Sequence, residues 1–144
     1  MRGRTRFVEE QGELQVLINW KLLSILVVAS VVAACGGGGS DSTPRGAIAV
    51  NQSTGVGAIA VNYSSQPEAN SDAVFECGGA SVCTVVREFS GYGECGSLAR
   101  GSNGVWGVGS AGSKEEADNR AAASCAGKGG SACLIQPTLG TQCN

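Results

Sequence analysis

Cysteine is the residue type in this chain that offers the most chemistry. The 144 residues include seven cysteines and no histidine. Histidine is the most common general base and metal ligand, so its absence excludes Ser-His-Asp and Cys-His machinery and the usual His-bearing zinc sites. Zinc motifs typically place two residues between ligands. Here five residues separate Cys77 from Cys83, and seven separate Cys125 from Cys133. We therefore expect disulfide bonds, no bound metal and no other cofactor.

The acidic residues do not form a convincing catalytic pair. Glu115 and Glu116 fall in the predicted first turn of a helix, where acidic side chains favour the helix dipole. Glu88 and Glu94 flank a predicted loop. We therefore predict no catalytic residue and no enzymatic activity, and a two-carboxylate hydrolase is the least favoured alternative.

Two aromatic residues are candidates for recognition. Trp106 lies on a predicted hairpin, and Tyr92 lies between two glycines in a predicted loop. A core or sheet-covering role is the alternative for Trp106. Tyr92 either contacts a partner or covers a bridge made by Cys95.

The seventh cysteine, Cys35, follows a segment typical of protein export. Residues 22–34 are uncharged and apolar, Lys21 precedes them, and small residues end the run. This layout predicts a secretory signal over residues 1–34, and the cysteine after Ala33 and Ala34 resembles a bacterial lipobox, in which Cys35 is lipidated. Ordinary secretion and an uncleaved anchor are the alternatives. As a helix the run would rise about 20 Å, whereas a bilayer core is about 30 Å thick.

The length and charge of the leader suggest that translation begins further along. Its first part mixes three glutamates with arginines, which is unusual for a signal peptide. A start near residues 16–18 would leave Lys21 as the only charge. After the leader, residues 35–45 form a Gly/Ser-rich tether. Its second residue is Gly36 rather than Asp, a pattern that resembles lipoproteins of the outer membrane. We therefore expect acyl chains such as palmitate to anchor the protein and, if the cell is Gram-negative, to hold it at the outer membrane facing the periplasm.

The rest of the chain, residues 46–144, contains an internal duplication that divides at residue 95. Three cysteines recur at offsets of 48, 50 and 48 as three more. Ser65 and Glu68 form a capping box that is repeated by Ser113 and Glu116. The predicted buried helix positions also recur: Ala69, Ala73, Val74 and Cys77, then Ala117, Ala121, Ala122 and Cys125.

A β-hairpin pattern precedes each helix. Strands are predicted over residues 46–50 and 57–61, and over 96–100 and 105–108, where an Asn-Gly pair marks the second turn. A third strand follows each helix, over residues 82–89 and 132–135, and Pro137 shortens the latter or places it at an edge. We therefore predict an α+β fold of two β-β-α-β units, related by pseudo-two-fold symmetry and stapled by disulfides.

Parity constrains the disulfide bonds. If six cysteines pair within two symmetric units of three, one bond must join equivalent positions. Glycine-rich turns separate the helix-end cysteines from the next ones, which favours Cys77–Cys83, Cys125–Cys133 and a crossing Cys95–Cys143. An alternative remains open: Cys77–Cys95, Cys125–Cys143 and a crossing Cys83–Cys133.

The repeated pattern GAIAV…STG…EA…C…C…CGSLA…NGVWGVG…EEA…C…C is similar to the DUF4189 family of small exported bacterial domains. The resemblance covers residues 46–143 and implies paired hairpins with alanine-rich helices, but no established activity. Gly57 stands where the second unit has Trp106, and Gln136-Pro137 replaces expected hydrophobic residues.

These features together predict a monomeric envelope lipoprotein with an interaction role. From Cys35 onward the chain has nine acidic and six basic residues, so no basic surface favours nucleic acid. The membrane is a partner through the lipid. We expect a periplasmic or extracellular protein partner, as for an inhibitor or immunity protein. The alternative is a structural or glycan-associated envelope protein.

Overall fold

The computed structural model describes residues 42–144. The predicted signal peptide, Cys35 and residues 36–41 of the tether lie outside the described residues. The elements are β1 (Arg45–Asn51), β2 (Gly57–Tyr63), α1 (Gln66–Cys77), β3 (Cys83–Ser90), β4 (Cys95–Arg100), β5 (Trp106–Ala111), α2 (Lys114–Gly127), β6 (Leu134–Ile135) and β7 (Gln142–Cys143). The fold is α+β, as predicted. The duplication and its pseudo-two-fold symmetry stay predictions.

Two antiparallel sheets form the fold. The first has the strand order β2-β1-β3, and the second has β5-β4-β6, with β7 also paired to β4. The strand predicted over residues 132–135 is reduced to β6, which pairs with Ala99 and Arg100. Strand β7 was not predicted and pairs with Cys95 and Gly96. Pro137 lies between these pieces, and its missing N–H excludes it from a continuous ladder. The expectation that Pro137 shortens this strand or places it at an edge is confirmed, because β6 has two residues and lies at the end of the strand order.

Strand β1 is buried on both faces, because its side chains point alternately to opposite sides. On one side its alanines pack against α1 in a cluster of small residues: Ala47, Ala49, Ala60, Ala69 and Ala73. On the other side its larger residues meet the second sheet in a second cluster: Ile48, Val50, Phe89, Leu98 and Val108. The two sheets therefore pack face to face, and α1 covers the outer face of the first.

Helix α2 covers the outer face of the second sheet at very close range. A Cβ atom at Gly107 would lie 2.1 Å from the backbone nitrogen of Cys125. A Cβ atom at Gly109 would lie 2.4 Å from the carbonyl oxygen of Ala117. No side chain fits at either distance, so glycine at these two positions sets the separation between α2 and β5.

Both helices begin at the predicted capping residues. The side chain of Ser65 accepts a hydrogen bond from the backbone N–H of Glu68, and Ser113 caps α2 in the same way. The pKa of Glu68 lies below its usual value, mainly because the hydroxyl of Ser65 donates a hydrogen bond to its carboxylate. The hydroxyl of Ser64 donates a second one and lowers the pKa further. Five of the eight helix positions predicted to be buried are fully buried: Ala69, Ala73, Ala117, Ala121 and Cys125. The other three, Val74, Cys77 and Ala122, are partly buried.

Three disulfide bonds staple these layers: Cys77–Cys83, Cys125–Cys133 and Cys95–Cys143. This is the pairing that the sequence favoured. The alternative, in which Cys83–Cys133 would be the crossing bond, is not the one that forms. The first two each join the end of a helix to the segment that follows it. The third joins β4 to β7, so it ties the C-terminus to the start of the second sheet.

A small polar cluster lies between β4 and α2. The hydroxyl of Ser97 is fully buried and donates to the carboxylate of Asp118 at 2.6 Å. The hydroxyl of Thr141 donates to the same oxygen. Because Ser97 has no access to solvent, the cluster joins β4, α2 and the C-terminal segment rather than offering a nucleophile.

Candidate functional site

The turns of the two hairpins lie side by side at one end of the sheets, which we call the hairpin-turn end. A Cβ atom at Gly55 would be 3.0 Å from the carbonyl oxygen of Gly104. The side-chain amide of Gln136 donates to the carbonyl oxygen of Gly55 at 2.6 Å. The β1–β2 turn, the β4–β5 turn and the segment after β6 therefore form one continuous surface.

Trp106 is the first residue of β5 and lies at this end. Its ring is half-buried and packs against the cluster of large residues between the sheets. The ammonium nitrogen of Lys128 lies 4.0 Å from the ring centroid, in a cation–π contact. Trp106 therefore covers the end of the core, and Lys128 lies over the ring of Trp106.

A polar depression of about 480 Å³ lies beside Trp106 and Lys128. Its other lining residues come from the two turns: Gln52, Ser53, Asn103, Gly104 and Val105. The side chain of Asn103 is held in place, because it donates to the carbonyl oxygen of Gly129 at 2.9 Å and accepts from the N–H of Ser131. The depression thus combines an aromatic ring, one cation and fixed amide groups.

The first hairpin has no ring of this kind at the matching position. Gly57 pairs with Val50 in the position where Trp106 pairs with Arg100. A Cβ atom at Gly57 would lie 2.5 Å from the carbonyl oxygen of Ala49. A tryptophan cannot replace this glycine, because the strands leave no room for its first side-chain atom.

An apolar cleft of about 510 Å³ lies on the other side of the same turns. Leu134 of β6 is 71% exposed and Val56 is 48% exposed, and both line the cleft with Ile135 and Pro137. The side chain of Arg100 also lines it and is exposed. The exposed apolar side chains of this cleft make it a candidate surface for association.

Tyr92 lies far from Trp106. The two residues flank opposite ends of β4, since Tyr92 precedes Cys95 and Trp106 pairs with Arg100. The side chain of Tyr92 is 77% exposed, and its hydroxyl donates to the carbonyl oxygen of Ser42 at 2.9 Å. The two predicted candidates therefore do not form one site, and Tyr92 instead contacts the segment through which the chain enters β1.

The described residues offer little catalytic chemistry. Glu88 accepts a hydrogen bond from Asn70 at 2.6 Å, and Glu94 lies in the loop before β4. Within residues 42–144, no group of three or more Cys, Asp or Glu side chains could hold a metal ion. Neither Glu88 nor Glu94 lines the depression or the cleft at the hairpin-turn end.

Sequence reasoning missed the residues that give this end its character. Leu134 was expected in a strand, but a short apolar run does not say which residue points outward. Lys128 follows α2 in a glycine-rich segment with no periodicity, so nothing in the pattern placed it over Trp106. Val56 precedes the strand predicted from residue 57, and nothing in the sequence pattern indicated that its side chain would be exposed.

A family model described as a domain of unknown function, DUF4189, matches residues 46–139. No curated protein and no solved structure matches the chain. Among residues 42–144, neither helix is long and apolar enough to cross a membrane.

Proposed function

The chain belongs to the DUF4189 family, and from that premise we propose that it is an envelope-anchored binding module whose hairpin-turn end docks a protein partner. The partner is a periplasmic or extracellular protein, such as an enzyme or toxin that the module inhibits. Cys35 carries the lipid anchor in this proposal, and the outer membrane is its site. The module acts as a monomer and without a cofactor.

The apolar cleft carries this proposal. Its walls present Leu134 and Val56 to solvent on a frame that three disulfide bonds hold rigid. Rigid surfaces lose little entropy on association, so apolar contacts made there contribute most of their energy to binding. Arg100 at the same cleft can add a charged contact that selects among partners.

The path of the chain also supports docking at this end. Residues 42–45 enter β1 beside Tyr92, and β1 then runs to the hairpin turn at its far end. Seven residues of strand span about 23 Å. An anchor attached before residue 42 therefore leaves the hairpin-turn end away from the point of attachment and accessible to a partner.

Replacing Leu134 by glutamate is expected to reduce recovery of the partner at least about tenfold, because burying one leucine contributes roughly 1.5 to 3 kcal/mol. The measurement is cross-linking in intact envelopes followed by purification and quantitative mass spectrometry. Phe75→Glu is the matched control, since Phe75 is 77% exposed but lies on α1 outside the cleft. Equal recovery of every protein with both variants would contradict docking at the cleft.

The polar depression favours a second candidate, association with an anionic glycan of the envelope. An aromatic ring with fixed amide groups and one cation is a suitable surface for a sugar that carries a carboxylate. We expect Lys128→Gln to lower the fraction of protein that sediments with purified peptidoglycan several-fold. Lys114→Gln is the control, because Lys114 begins α2 and does not line the depression. Sedimentation that neither substitution changes would argue against this role.

A further inference from the structure

A separate recess lies on the side of the molecule, where β3 of the first sheet approaches β5 of the second. Its volume is about 240 Å³. Its lining comes from β3, β5 and α2, and none of it is shared with the polar depression or the apolar cleft: Arg87, Val108, Gly109, Ser110, Arg120 and Ser124. Two arginines and two serines thus line a space that fits a small polyatomic ion.

Arg120 on α2 is held in place at this recess. One terminal nitrogen of its guanidinium donates to the carbonyl oxygen of Ser110 at 2.7 Å, and the other pairs with the carboxylate of Glu116. A guanidinium has five N–H donors in a fixed plane. About three donors therefore remain for a ligand, on a head group whose position is already set.

Arg87 reaches the recess from the other wall. Residues two apart on a strand point to the same face, so Arg87 shares the side of Phe89, which is buried between the sheets. The side chain of Arg87 is exposed, and within residues 42–144 it forms no hydrogen bond or ion pair. Its donors are free to bind.

The charges at the recess do not balance. Arg87 and Arg120 bring two positive charges, and the one carboxylate paired with them is that of Glu116. The chain as a whole is acidic, with a net charge of −2. An anion between the two guanidinium groups would balance this local excess of positive charge.

We propose that this recess binds one oxyanion group, a carboxylate or a phosphate, between Arg87 and Arg120. Guanidinium groups bind both anions through paired N–H donors. The hydroxyls of Ser110 and Ser124 are further donors in the lining. The small volume restricts the ligand to a free ion or to the anionic end group of a larger molecule. This site is independent of docking at the hairpin-turn end.

The test is a nuclear magnetic resonance titration of the oxidised full chain with sodium phosphate and, separately, sodium acetate, at constant ionic strength. We expect saturable shifts centred on the backbone amides of Ser110 and Ser124, with millimolar affinity. Saturation by phosphate alone, by acetate alone or by both supports the site and says which oxyanion it prefers. The absence of saturable shifts with both ions would overturn it.

Substitution separates this site from general charge effects. Arg87→Gln is expected to weaken binding about tenfold, because it removes charged hydrogen bonds from one wall. Lys114→Gln removes the same charge at the start of α2, outside the recess and both surfaces of the hairpin-turn end, and should leave the affinity unchanged. Equal weakening by the two substitutions would show that net charge alone attracts the ion, and the proposed site would be rejected.

Discussion

Replacing Gly107 by alanine is expected to destabilise the protein by about 3 kcal/mol, at the upper end of the cost of overpacking a core. The added Cβ would lie 2.1 Å from the backbone nitrogen of Cys125 and 2.6 Å from the carbonyl oxygen of Ala121. Both atoms belong to the backbone of α2, so no side-chain rotation relieves the contact. The helix would have to move away from the sheet as a unit.

The measurement is chemical denaturation of the purified, oxidised protein. Gly112→Ala is the matched control, because no atom lies within 4 Å of a Cβ at that position. The control should unfold within about 0.5 kcal/mol of the unchanged protein, as exposed substitutions usually do. Equal unfolding midpoints for the two variants would show that α2 does not depend on glycine at position 107.

The repeated sequence pattern predicted the local structure of the chain well. Capping boxes at Ser65 and Ser113, alternating strand residues and the turn at Asn103 and Gly104 are all encoded within a few residues. Such signals depend on local hydrogen bonds and on side-chain periodicity. Helix positions and the first two strands of each half followed from them.

Contacts between distant segments were not predictable in this way. The face-to-face packing of the sheets depends on which side of β1 meets Leu98, and both sides of β1 are apolar. Strand β7 has two residues, too few for a periodic pattern. The contact of Lys128 with Trp106 and the recess between Arg87 and Arg120 each join segments that lie far apart in the sequence. A binding site built from such contacts becomes visible only in the folded chain.

The disulfide bonds are a partial exception, because an odd number of cysteines in each half requires a bond between the halves. Removing that bond through the double substitution Cys95→Ala and Cys143→Ala is expected to have the largest effect among the three bonds. A disulfide restricts the unfolded chain more when it closes a longer loop. Cys95 and Cys143 are 48 residues apart, whereas the other pairs are 6 and 8 residues apart.

On the loop-entropy relation, the expected loss of unfolding free energy is about 4 kcal/mol for the crossing bond and about 2 to 2.5 kcal/mol for each local bond. The comparison variant is Cys77→Ala with Cys83→Ala, which removes a local bond at the end of α1. Denaturation of both variants, with the remaining cysteines oxidised, gives the two losses directly. A loss for the local pair that equals or exceeds that for Cys95 and Cys143 would show that restriction of the unfolded chain does not govern this fold. A larger loss for the crossing pair would instead show that the length of the closed loop governs how much each bond stabilises the fold.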